Sequence, residues 1–136
     1  VKEAENGDVL QKGCAYLSPG GRQMEFTRNG VLKISEGKDP NQLYNPSVNI
    51  TINSAIDQLG GSILGVIMTG MGHDGQEALT RLYQLGGHVI AQSVDTCVVA
   101  GMTESVINAN AASEIVDLEK IADKICRILG VNVAAI

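Results

Sequence analysis

The sequence carries no C-x-x-C pair, no excess of positive charge and no apolar stretch near the length of a membrane helix. Its three cysteines, Cys14, Cys97 and Cys126, are odd in number and far apart, which excludes the paired spacing of a zinc or dithiol site. They read as reduced, mostly buried thiols of a cytoplasmic protein. With a formal net charge of −5 and scattered lysines and arginines, the chain offers no basic patch to a nucleic acid or an anionic membrane surface. The longest strongly apolar run, Ile63 to Met68, is far short of the roughly 20 residues that a spanning helix needs, so no membrane insertion is expected. Internal repeats and low-complexity segments are also lacking. Val1 is neither an initiator methionine nor the start of a leader, so the chain reads as part of a longer polypeptide without a secretion signal. What is present is enough apolar content, 44% over 136 residues, for one folded domain with a sizeable core.

Glycine, proline and asparagine divide the chain. Val1 to Asp8 is charged, turns at Asn6-Gly7 and reads as a surface segment. Cys14 to Leu17, bounded by Gly13 and Pro19-Gly20-Gly21, predicts a short buried strand. Gln23 to Thr27 and Val31 to Ser35 flank Arg28-Asn29-Gly30, and Asn-Gly between alternating apolar residues predicts an antiparallel hairpin. Beyond the polar loop Lys38 to Asn45, Ser47 is placed to cap a helix starting at Val48. There Val48, Ile52, Ala55, Ile56 and Leu59 recur at helical spacing until Gly60-Gly61 ends the run. Ser62 to Met68 is apolar almost without alternation and predicts a central strand covered on both faces. Gln76 to Leu85 predicts a helix burying Ala78, Leu79 and Leu82, and His88 to Ala91 a strand parallel to the previous one. Thr96 to Met102 reads as a compact loop or short helix, Thr103 to Ala109 as a brief helix capped by Thr103, and Glu114 to Val116 as a last short strand. Asp117 is placed to cap a final helix whose inner face is Leu118, Ile121, Ala122, Ile125 and Leu129. The fold class is α/β: a mostly parallel sheet with flanking helices, doubly wound and Rossmann-like in three layers, with a small antiparallel hairpin.

The chain is organised around Ile67-Met-Thr-Gly-Met-Gly-His-Asp-Gly75, where a strand turns into a helix. In open α/β sheets ligands bind at such corners. Gly70, Gly72 and Gly75 permit tight turns and close approach, and packing does not explain the carboxylate of Asp74 between them. Gly70-x-Gly72-x-x-Gly75 also satisfies a dinucleotide fingerprint, with Asp95 about twenty residues on. A dinucleotide-binding module is therefore the alternative reading, although a carboxylate in that turn would repel a pyrophosphate. In the other reading Asp74 is itself the functional group, the orienting acid of a Ser-His-Asp arrangement. The bland reading is that Asp74 caps the helix beginning near Gln76. His73 reads as a surface loop residue and His88 as structural. Ser93 is the only resident hydroxyl considered as a substitute nucleophile, and no glycine-rich turn presents it. No metal and no cofactor is expected.

Thr69-Gly-Met-Gly-His-Asp-Gly75, Cys97-Val-Val-Ala-Gly-Met102 and Gly13-Cys-Ala-Tyr-Leu-Ser-Pro-Gly20 together resemble the catalytic domain of the CheB family of chemotaxis receptor methylesterases. The resemblance extends to Pro46-Ser47-Val48 and to Ser113-Glu-Ile-Val-Asp-Leu118. It implies a cytoplasmic hydrolase that removes methyl esters from glutamates of methyl-accepting chemotaxis receptors and deamidates certain receptor glutamines. Asp74 falls on the triad aspartate and Met71 on a methionine lining the same site, with Gly70, Gly72 and Met102 beside it. The family's nucleophilic serine and its histidine fall before Val1, so residues 1–136 are expected to be a partial catalytic domain, inactive alone, without the first strands. A response-regulator receiver domain, found in many members, is a further expected partner. Ala100, Thr103 and Gln23 depart from the family pattern, Gln23 standing where a histidine is common. A third reading is an inactive interaction domain that keeps the receptor-facing surface.

Overall fold

The computed structural model describes residues 1–131. At the N-terminal end, β1 (Lys2–Glu3) pairs in parallel with β2 (Tyr16–Leu17). The Asn-Gly hairpin forms as the sequence predicts: β3 (Arg22–Phe26) runs antiparallel to β4 (Leu32–Glu36), with Met24 opposite Ile34. Asn29 takes the left-handed conformation in the connecting turn, φ 61°, which asparagine tolerates better than most residues. The hairpin buries Met24 and Leu32 against Ala4 in a small core of its own.

α1 (Val48–Leu59) packs against β3. Two polar contacts fix it there: Thr51 Oγ1 donates to the Met24 carbonyl at 2.8 Å, and the Phe26 amide donates to Ser54 Oγ at 2.9 Å. Ser47 caps this helix, its hydroxyl accepting from the Ile50 amide, and Gly60 at φ 60° ends it.

The main sheet is all parallel, in the order β5 (Leu64–Ile67), β6 (His88–Gln92), β7 (Glu114–Val116). α2 (Gln76–Gln84) and α3 (Gly101–Asn108) connect these strands, and α4 (Leu118–Ile128) follows the last. On one face Ile67, Val89 and Ala91 meet Ile56, Leu79, Leu82 and Val106 from α1, α2 and α3. On the other, Leu64, Val66, Ile90 and Val116 meet Ile121 and Ile125 of α4. This alternation yields the three layers that the sequence predicts. Leu79 and Leu82, fully buried, each contribute on the order of 1.5–3 kcal/mol of burial free energy.

Several expectations need correction. Among the described residues the central strand is β6, whose residues Val89 to Gln92 are all buried, whereas β5 pairs on one side only and its burial alternates. Its Leu64 and Val66 look toward the single helix α4, which covers that face less fully than three helices cover the other. The Cys14 to Leu17 run is not a buried strand: only Tyr16 and Leu17 pair, and Leu17 is exposed. Cys14 is exposed as well, and Cys97 and Cys126 are only half-buried. Thr103 does not cap α3; the helix begins two residues earlier, at Gly101, and the buried Thr103 hydroxyl donates back to the Ala100 carbonyl. Asp117 occupies the N-cap of α4 but makes no capping bond with its side chain, because its carboxylate accepts from Ser93 Oγ at 2.8 Å. Of the predicted inner face of α4, Ile121 is buried and Ile125 half-buried, while Leu118, Ala122 and Leu129 are exposed.

Candidate active site

The strand-to-helix loop after β5 is fastened to the loop before α3. Thr69 Oγ1 lies 2.9 Å from both the carbonyl and the amide of Val99, the Gly70 amide donates to the Val99 carbonyl at 2.8 Å, and the Met102 amide donates to the Gly70 carbonyl at 3.0 Å. Beneath them the wholly buried Gln92, at the carboxyl end of β6, accepts from the Thr69 amide and donates to the Thr96 carbonyl. The two loops thus form one rigid shelf along the carboxyl edge of the sheet. Gly70 and Gly101 are where they touch: a Cβ on Gly70 would run into the Met102 side chain, and one on Gly101 into the Gly72 backbone.

Asp74 sits at the inner end of this shelf, 7% exposed. Its Oδ1 accepts from Ser47 Oγ at 2.9 Å and from the Asn49 amide at 3.1 Å, and its Oδ2 accepts from the Val48 amide at 2.6 Å. The bland alternative, a cap on the helix beginning near Gln76, does not hold: the helix it caps is α1, reached across the fold rather than along the chain. Placing a carboxylate on the amide end of a helix is electrostatically favourable. The arrangement is reciprocal, since Asn49 Oδ1 accepts from the Ala78 amide at 3.0 Å in the first turn of α2. Gln23 completes it from the hairpin: its Oε1 accepts from the Ser47 amide, and its Nε2 donates to the Tyr44 carbonyl and Asn45 Oδ1. The Asn45–Pro46 peptide in this loop is cis.

An ionised carboxylate offers about four lone-pair directions. Both of those on Oδ1 and one on Oδ2 are taken, so Asp74 retains one acceptor direction, on Oδ2. That is the capacity needed to hold one further N–H donor.

The other candidates disperse. Met71 projects from the shelf, 83% exposed, and Val98 in the facing loop is 93% exposed. Met102 is half-buried and packs into the core beside Gly70. Gly72 lies under the Tyr44 hydroxyl, and Gly75, at φ 99°, precedes α2 and abuts Val48. His73 is exposed, as expected. His88 lies at the opposite edge, 3.0 Å from Glu114 Oε1. Among the described residues the Ser93 hydroxyl bonds to Asp117 and Thr96 and to no imidazole, an arrangement that anchors α4. The Ser93 hydrogen bond, with Lys120 nearby, holds the Asp117 carboxyl below the usual aspartate range. Ser47 was legible only as a helix cap, and Asn49, Gln92 and Tyr44 were not singled out. A glutamine ending the otherwise apolar run of β6 was the one available signal.

The dinucleotide alternative gains no support from the hydrogen bonds of this loop. At the start of α2 the Gln76 amide donates to the His73 carbonyl and the Ala78 amide to Asn49, so these donors do not face an incoming phosphate. Among the described residues no group of three His, Cys, Asp or Glu side chains is placed to hold a metal ion. No helix there is long and apolar enough to cross a membrane.

The CheB methylesterase family model matches residues 1–125. The chain belongs to this family. A protein-glutamate methylesterase/protein-glutamine glutaminase of Lawsonia intracellularis is 44% identical over 131 residues, which cover 95% of this chain and 37% of that protein. The enzyme of the same name from Shewanella frigidimarina is 42% identical over 130 residues, covering 93% and 32%. Among solved structures, the CheB methylesterase catalytic domain of Thermotoga maritima superposes with a TM-score of 0.84 at 32% identity, over 93% of this chain and 68% of that one. The chain therefore spans about a third of the length of these two curated relatives. None of these relatives' names supports a dinucleotide-binding module.

Proposed function

We propose that residues 1–136 are part of the catalytic domain of a protein-glutamate methylesterase and that Asp74 is the acid of its Ser-His-Asp arrangement. The observation that carries this reading is the carboxylate of Asp74: buried at the carboxyl edge of the parallel sheet, held by three donors from the start of α1, and left with one open acceptor direction. An orienting acid needs that geometry, because its task is to accept the Nδ1–H of an imidazole and to stabilise the imidazolium that forms.

In this reading the serine and the histidine come from outside residues 1–136, consistent with the share of the relatives that the chain spans. The serine oxygen attacks the ester carbonyl of a γ-glutamyl methyl ester while the imidazole takes its proton. The same proton then goes to the departing methoxide, releasing methanol, and water hydrolyses the acyl-enzyme to glutamate. With a glutamine side chain the leaving group is ammonia, the deamidation in the relatives' names. Met71, Gly70, Gly72 and Met102 line the approach to the ester. The substrates are the methylation segments of methyl-accepting chemotaxis receptors, the compartment is the cytoplasm, and a receiver domain regulates the whole enzyme.

The test is methanol release by the full-length enzyme carrying Asp74→Asn. The imidazole loses its tautomer control, and turnover is expected to fall on the order of 10⁴-fold by analogy with the general triad case. The folded fraction is monitored in parallel, because the amide nitrogen that replaces one carboxylate oxygen cannot accept the hydrogen bonds that oxygen receives from the start of α1. A loss under about tenfold in folded enzyme means that Asp74 serves α1 alone.

A further inference from the structure

We propose that Ser47 is a positioning residue for this reaction, and that the oxygen of Asp74 which receives the imidazole is Oδ2. The inference rests on the assignment of Asp74 above. Ser47 is wholly buried, and its hydroxyl takes part in two bonds: it accepts from the Ile50 amide at 3.4 Å as the cap of α1, and it donates its proton to Asp74 Oδ1 at 2.9 Å. Capping needs only the first. Among the described residues the second is the only side-chain donor on a carboxylate otherwise held by two adjacent backbone amides of the same helix turn.

The three donors differ in what they fix. Val48 and Asn49 amides approach from one turn, one to each oxygen, and hold the carboxylate against α1, but by themselves they leave a lone pair free on both oxygens. The Ser47 hydroxyl saturates Oδ1 from a separate direction. That leaves Oδ2 as the only oxygen with a lone pair to offer. Gln23, by accepting from the Ser47 amide at 2.9 Å, fixes the backbone from which the hydroxyl projects. Without the hydroxyl, Oδ1 regains an open lone pair, the carboxylate can present either oxygen, and the imidazole loses its single docking direction.

The experiment uses full-length enzyme and methylated receptor, with three variants at this position and one control. Ser47→Gly removes the donor but keeps a residue favoured at helix starts, so the cap itself is little weakened. Ser47→Thr keeps the donor, and Ser47→Cys keeps the volume while supplying only a weak donor. Expected for Ser47→Gly is a fall in kcat of about tenfold with KM unchanged, since the interaction acts in the chemical step. Ser47→Thr is expected to retain most of kcat and Ser47→Cys to fall with Ser47→Gly. In an Asp74→Asn background, Ser47→Gly is expected to cost nothing further, because the residue acts through Asp74.

Several outcomes overturn the proposal: wild-type kcat in folded Ser47→Gly or Ser47→Cys, a loss that Ser47→Thr fails to restore, or losses that multiply in the double variant. If Ser47→Gly does not fold, the Ser47→Cys and Ser47→Thr pair decides the matter. Asp74→Asn separates the two readings. A severe loss there beside an unaffected Ser47→Gly rejects the positioning role alone, whereas an unaffected Asp74→Asn rejects the assignment of Asp74 and the positioning role with it.

Discussion

At Gly101 and Gly70 the shelf that carries Asp74 is held together by missing side chains, and the two positions differ in what a methyl group would meet. On Gly101 a Cβ would come to 2.9 Å from the Gly72 carbonyl oxygen and 3.1 Å from its nitrogen. Backbone cannot step aside as a side chain can. Alanine at a helical position gains at most about 1 kcal/mol over glycine, whereas overpacking costs about 1–3 kcal/mol. Gly101→Ala is therefore expected to destabilise the full-length protein in urea titration and to reduce methanol release by displacing the 69–75 loop. Gly70→Ala would meet only the Met102 side chain, a flexible thioether that can repack, so its midpoint is expected to shift less. Equal shifts would show that the two loops are not packed as described. Asp74 was legible as a candidate because a lone acid in a glycine-rich turn invites explanation. Its partners were not, since Ser47, Val48 and Asn49 lie 25 to 27 residues away in sequence and only the packing of α1 on α2 brings them together.

Elements were read well where local chemistry decides them. The hairpin, α1, α2 and the three parallel strands follow from Asn-Gly, caps and periodicity, and each formed within a few residues of its predicted limits. The start of α3 was missed because Thr69 and Gly70, thirty residues earlier, dock the preceding turn. The extent of burial on α4 was overstated because periodicity reveals an apolar face and not what covers it. Two predictions belong at this scale. Asn49→Ala removes the side-chain acceptor that Asn49 offers the first turn of α2 and is expected to cost about 1 kcal/mol, read as a lower urea midpoint. At the far edge, Glu114 ties β7 to His88 of β6 and to Lys124 of α4, at 3.0 and 2.5 Å. The Lys124 hydrogen bond is the main cause that holds its carboxyl below the usual glutamate range, against partial desolvation and with a smaller contribution from His88. A lowered folded value means that this stabilisation is present above the ordinary glutamate value, about pH 4, and is lost as pH falls through the folded one. Glu114→Gln should accordingly be less stable than the unmodified protein at pH 7, with the gap closing as the pH falls below the ordinary glutamate value and through the lowered folded one. A gap independent of pH would mean that the ion pair contributes nothing.

The molecule as a whole has a core on each side of its sheet and two strand edges without partners among the described residues, the outer side of β5 and that of β7. Parallel sheets are ordinarily covered on both faces, and an unpaired strand edge is a template for another chain. Here Val66 and Leu64 are only half-covered by α4, Ile115 and Leu118 are exposed on and after the last strand, and Met71, Val98 and Val99 crown the shelf. These surfaces lie on different sides of the molecule, so they cannot be hidden by one small rearrangement. Against them stands a net charge of −5, which disfavours close approach of copies but is screened beyond about 8 Å at physiological salt. Short-range apolar contact should win once concentration is high enough. The 136-residue chain produced alone is therefore expected to self-associate, with sedimentation coefficients that rise with protein concentration and rise further at high salt. Its thermal transition is expected to be broad and to depend on concentration. A monodisperse monomer with a sharp, cooperative transition at every concentration would mean that the two cores suffice by themselves and that the open edges are harmless.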